Sequence, residues 1–157
     1  MKSGDVILVR KSDTKFLVGY DKDDMDIKAV RMHEAKLGIG GDWISKPPLV
    51  TIGDVVVFLS PVNPNETTIK RVIGLGGQHV QPPDRFQQAI LIPKYSVWVE
   101  GDSSSIKSED SRSYGPISKK LLVGKAERIL WPPSRCGNVI VNKPSLGRSW
   151  WYGGIGA

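Results

Sequence analysis

The sequence of 157 residues has a single cysteine, Cys136, and only two histidines, His33 and His79. One thiol excludes an internal disulfide framework and any zinc cluster built on several cysteines. The histidines lie far apart, and neither has a second ligand at metal-binding spacing, so no metal site is expected. Long apolar runs are also missing. The longest uncharged ones, residues 55–59 and 89–93, are strand-sized, well short of the ~20 residues of a membrane span. Met1-Lys2-Ser3-Gly4-Asp5 lacks the apolar core of a secretory leader. Nor is there a block of one charge: the net charge is +6, but Lys and Arg are interspersed with Asp and Glu, and the longest basic runs are doublets such as Lys119-Lys120. That pattern is a solvated basic surface rather than a nucleic-acid-binding arm, and no nucleic-acid partner is expected. These absences leave a soluble, loop-rich domain of a size that buries a core.

Strand signals fill that frame. Residues 5–10, 54–59, 67–73, 89–92, 96–100 and 121–130 are short runs rich in Val, Ile, Thr or aromatics, bounded by Gly, Pro, Asn or Asp. Such runs predict a mainly β fold, an antiparallel sheet domain with little helix. Only residues 26–36 have loose helical spacing, through Ile27, Val30 and Met32, and they read as a strand almost as easily. Residues 12–50 are long, charged and poor in turn signals, and are read as an insertion within a domain covering residues 1–141. Residues 142–157 are read as a weakly ordered C-terminal tail.

Several polar stretches carry no chemistry on inspection. Asp21-Lys22-Asp23-Asp24-Met25-Asp26 is acidic but lacks the central glycine and closing glutamate of a calcium loop. Gly38-Ile39-Gly40-Gly41 and Gly74-Leu75-Gly76-Gly77 lack the Gly-Lys-Ser/Thr ending of a phosphate loop and are read as turns. Lys70 is different, because it lies inside the apolar strand signal at residues 69–73. A lysine there either snorkels to solvent or is desolvated, and desolvation favours the neutral amine that can serve as a general base for a serine. A second polar segment, residues 101–115, places Asp110 and Arg112 around Ser111, where a carboxylate–guanidinium pair would stiffen the loop.

Taken in order, five stretches resemble the boxes of the type I signal peptidase family, most closely its mitochondrial inner membrane protease branch (subunit 2-like). They are Gly53-Asp54-Val55-Val56-Val57-Phe58; Ile69-Lys70-Arg71-Val72-Ile73-Gly74; Val97-Trp98-Val99-Glu100-Gly101-Asp102; Asp110-Ser111-Arg112-Ser113-Tyr114-Gly115-Pro116; and Ile129-Leu130-Trp131-Pro132-Pro133-Ser134-Arg135. The resemblance implies a β-sheet serine endopeptidase that removes targeting peptides from proteins sorted to the mitochondrial intermembrane space. It would work through a Ser-Lys dyad with no metal or cofactor. Lys70 falls on the family's general base, Ser108 on the hydroxyl that orients it, and Asp110 with Arg112 on the supporting pair. The implied partners are presequence-bearing precursors, bound as an added strand, and a sister protease subunit in a hetero-oligomer. The implied location is the intermembrane-space side of the mitochondrial inner membrane, with a plastid or bacterial membrane as the alternative.

The family's nucleophile lies in a Ser-Met-x-Pro motif following a membrane anchor, and that motif occurs nowhere in these 157 residues. Ser3 lacks its context and stands too close to the first strand signal. The expectation is therefore that anchor and nucleophile lie outside this sequence and that the chain alone is inactive. The competing reading is a non-catalytic subunit that binds presequences or a sister protease. Gly76-Gly77-Gln78 replaces the family's usual Pro-Gly-Asp, and Ser103 stands where Asn is common.

Overall fold

The computed structural model describes residues 5–11, 14–20, 49–83, 88–102, 109–144 and 148–151. In chain order its elements are β1 (Asp5–Lys11), β2 (Thr14–Tyr20), β3 (Val55–Leu59), β4 (Thr67–Leu75), β5 (Gln78–Val80), β6 (Ile90–Leu91), β7 (Ser96–Glu100), α1 (Ser111–Tyr114), β8 (Ile117–Ser118), β9 (Leu122–Trp131), β10 (Gly137–Asn138) and β11 (Ser149–Trp151). The expected mainly β, antiparallel fold is present. The only α-helix among the described residues is a single turn, and none is long and apolar enough to cross a membrane. The segment at residues 26–36, read as helix or strand, lies outside the described residues.

The described residues fall into two compact units, the first drawn from residues 1–49, 55–69 and 120–140 and the second from 50–54, 70–119 and 141–157. In the first, the strand order is β2-β1-β9-β3-β4, and β10 also pairs with β9. β1 and β2 form an antiparallel hairpin from Asp5 opposite Tyr20 to Lys11 opposite Thr14. Alternation sends Ile7 and Val9 of β1 inward, where they meet Val55, Val57 and Ala126. β3 departs from alternation. Val55, Val56, Val57 and Phe58 are all buried, the near-continuous apolar run of a strand covered on both faces. β2 lies inside the stretch read as an insertion.

In the second unit the later part of β4 pairs antiparallel with β7, and β7 with β8. A separate three-stranded sheet has the order β11-β5-β6. A core cluster of this unit is Ile73, Val80, Ile92 and Trp98, with Ile90 packed against them. The segment at 142–157, read as a weakly ordered tail, contributes β11, which pairs Ser149, Trp150 and Trp151 with Val80, His79 and Gln78.

The turn between β4 and β5 depends on glycine. Gly77 has φ +91°, and a Cβ there would lie 2.9 Å from a ring carbon of Trp151. Gln78 closes the turn by accepting the Leu75 N–H on Oε1 at 2.8 Å. Gly77→Ala must adopt a left-handed backbone and displace the indole. The expected result in urea denaturation is a loss of about 1–2 kcal/mol, and an unchanged midpoint would contradict the packing of Gly77 against Trp151.

Candidate active site

Lys70 sits on β4 at the start of the second unit. Burial lowers the affinity of its amine for a proton, because a desolvated ammonium is disfavoured. Three charges then act on it in opposite senses: Asp110 and Glu109 favour the ammonium, and Arg112 disfavours it. Desolvation prevails, and Lys70 lies below the ordinary lysine value. Of the two positions the sequence leaves open, exposed or desolvated, the structure gives a half-buried one.

Asp110 is fully buried and is the N-cap of α1. Its Oδ1 accepts the Arg112 backbone N–H at 3.0 Å and the Arg112 Nε–H at 2.9 Å. Its Oδ2 accepts from Arg112 Nη2 at 2.6 Å and from the Gly101 N–H at 2.9 Å. Burial pushes the carboxyl up, but the donors from Arg112 and Gly101 outweigh it and hold Asp110 below the usual carboxylate range. Asp110 in turn holds the Arg112 proton more firmly than usual. An acceptor at an N-cap and a planar fork two residues on can satisfy each other only with a tight turn between them, which the helical turn at Ser111 supplies. Ser111 is buried too, and its Oγ accepts the Val99 N–H at 2.9 Å, fastening the turn to β7. The Tyr114 hydroxyl is buried with no hydrogen-bond partner among the described residues. Burial, with Asp110 and Glu109 adding to it, pushes the phenol well above its ordinary range.

A second fork holds Asp102, just after β7. Arg71, next to Lys70, donates from Nε to Asp102 Oδ1 at 2.7 Å and from Nη2 to Oδ2 at 2.6 Å. Its Nη1 reaches the Gly53 carbonyl at 2.8 Å. These bonds hold the Asp102 carboxyl below its usual range. The structure thus brings together Lys70, Asp110 and Arg112 of the residues singled out from sequence. Ser108, Ser103 and Ser3 lie outside the described residues. Sequence reasoning passed over Arg71 and Asp102 as site elements although both stand in the quoted boxes. Arg71 directly follows Lys70 and Asp102 closes the next box, but nothing in their spacing marks the two as partners. Among the described residues no group of His, Cys, Asp and Glu could hold a metal ion.

This arrangement, a desolvated strand lysine beside a braced Asp–Arg turn in an antiparallel β-sheet, is the kind of site a peptidase could use. Residues 1–85, more than half of the chain, match the family described as signal peptidase, peptidase S26, and the chain belongs to that family. Within it, the chain is similar to mitochondrial inner membrane protease subunits. It is 40% identical to subunit 2 of Danio rerio over 93 residues, 59% of this chain and 50% of that protein. It is 45% identical to subunit 2 of Mus musculus over 83 residues, 53% of this chain and 47% of that protein. Against subunit 2 of Saccharomyces cerevisiae the figure is 37% over 115 residues, 68% of this chain and 63% of that protein. The chain therefore spans about half the length of the first two relatives and somewhat more of the third.

Proposed function

We propose that this chain is the catalytic domain of a signal-peptidase-type serine endopeptidase that removes targeting peptides from proteins sorted to the mitochondrial intermembrane space. The observation that carries this reading is Lys70, an amine whose burial favours its neutral form beside the Asp110–Arg112 pair. A neutral amine can accept the proton of a serine hydroxyl as the oxygen attacks the scissile carbonyl carbon. The resulting ammonium then donates that proton to the leaving amine nitrogen as the C–N bond breaks. In the second half-reaction Lys70 takes a proton from water, whose oxygen attacks the acyl ester, and returns it to the serine oxygen. The serine is that of the family's Ser-Met-x-Pro box, a motif these 157 residues do not contain.

Asp110, Arg112 and Arg71 are positioning residues in this scheme. They fix the backbone before residue 103 and after residue 108, and Ser108 orients the amine in this reading. Substrate adds as an extended strand, held by backbone hydrogen bonds that tolerate varied sequences. The relatives' names support a location at the mitochondrial inner membrane and assembly with a sister subunit; the intermembrane-space side is part of the proposal. The test is incubation of this chain, extended upstream by the family's Ser-Met-x-Pro segment, with a peptide spanning a presequence junction, followed by mass spectrometry. A single cut after a small residue is the expected result. Peptide binding without any cut would overturn the catalytic reading and favour a presequence-binding subunit.

A further inference from the structure

The start of β11 is tied to the end of β7 through polar groups around the buried Glu100. Arg148, which precedes β11, donates from Nη2 to Glu100 Oε1 at 2.6 Å and from Nε to the Gln81 carbonyl at 3.0 Å. Its own carbonyl accepts the Gln81 N–H at 2.8 Å, so the arginine is gripped by backbone on both sides. The same Glu100 oxygen accepts the indole N–H of Trp98 at 2.8 Å. The Glu100 side chain is only 8% exposed, and a carboxylate in that position is costly without a cation. Directly after Glu100 come the Gly101 N–H, donated to Asp110, and Asp102, gripped by Arg71.

Glu100 also acts electrostatically on Arg112. Arg112 therefore has two anions in its field, Asp110, to which it is hydrogen-bonded, and Glu100. Arg71 stands opposite Glu100 in the β4–β7 ladder, but its guanidinium is taken by Asp102 and the Gly53 carbonyl.

We propose that Arg148 is a positioning residue: by neutralising Glu100 it keeps Arg112 committed to Asp110, and so sets the charge that surrounds Lys70. The proposal rests on the reading of Lys70 as the general base. Among the described residues the charged groups acting on Lys70 are Asp110, Glu109 and Arg112, with the Tyr114 phenol in the field of the same two carboxylates. Without Arg148, Glu100 draws on Arg112, Asp110 is less neutralised, and its anion stabilises the Lys70 ammonium. The direct pull of an unneutralised Glu100 has the same sign.

The measurement needs neither substrate nor nucleophile. Lys70 is labelled competitively with trace acetic anhydride from neutral to strongly alkaline pH, and its peptide is quantified by mass spectrometry. Arg148→Gln is expected to move the Lys70 labelling midpoint to higher pH by about half a unit or more, with Lys119 and Lys143 unmoved. Glu100→Gln is expected to move it to lower pH, and the double variant to return it to the parental value. A natively melting Arg148→Gln protein with the parental Lys70 midpoint would overturn the proposal. If that variant does not fold, Glu100→Gln decides alone, and an unmoved midpoint there is equally fatal. A parental Lys70 midpoint at the ordinary lysine value would instead sink the general-base reading, while the shifts between variants would still judge Arg148.

Discussion

Lys70→Met, made in protein carrying the family's upstream Ser-Met-x-Pro segment, lowers the rate of presequence cleavage by about 10²–10⁴-fold, the range attributable to a lost general base. Methionine keeps the unbranched stem and drops the amine, so packing around β4 is retained while the proton acceptor goes. The pH profile of the parental enzyme carries the same information. Only the neutral amine can accept a proton, so log kcat/KM climbs with pH and levels off above the Lys70 pKa, which burial places below the ordinary lysine value. The variant should lose this limb along with the rate. Thermal melting gives a further check of opposite sign: removing an amine whose charged form burial disfavours relieves a penalty, so Lys70→Met melts no lower than the parental protein and is expected to melt higher. Retained cleavage at the parental rate would remove Lys70 from the mechanism.

The fold was legible wherever an element carries its own signal. β3, β4 and β7 are β-branched runs with glycine or proline at their ends, and the structure puts strands there. β2 was not legible, because Thr14–Tyr20 has little pattern of its own and becomes a strand by pairing along the whole of β1. The same holds for β11. Ser149-Trp150-Trp151 reads as tail in isolation, and only the edge of β5 gives its backbone groups partners. Tertiary context decides such short strands, and sequence periodicity cannot reach it.

The candidate site divides along the same line. Lys70 stood out because an ammonium within an apolar strand is a local contradiction, and Asp110 with Arg112 because two residues are close enough to pair in a turn. Both pairs of partners that were overlooked are distant in sequence. Arg71 and Asp102 are separated by 31 positions, and Glu100 and Arg148 by 48. Long-range ion pairs leave no spacing signature, yet they fasten the loop that the local signals identified.

Loss of the Asp110 carboxylate should be the largest stability change at the site. Asp110→Ala removes the cap of α1, the acceptor of the Gly101 N–H and the counter-ion of Arg112 together. Breaking one side of a buried, hydrogen-bonded ion pair costs about 3–5 kcal/mol, a large share of the ~5–15 kcal/mol that holds an ordinary domain together. Urea titration at neutral pH should register that loss, and Asp110→Asn should cost less, since its carbonyl can still accept from Gly101 and Arg112. Acid gives an independent measure of the same interaction. The folded carboxyl titrates below its unfolded counterpart, so its contribution is fully present above the unfolded value of about 4 and is lost as pH falls through the folded value. The parental protein should therefore lose more stability than Asp110→Asn on going from pH about 5 to pH about 2. Arg112→Met added to Asp110→Asn should recover part of the loss, because the cation left without its partner is then gone. A cost below about 1 kcal/mol for Asp110→Ala would mean that the pair behaves as an exposed one and does not brace the turn at Ser111.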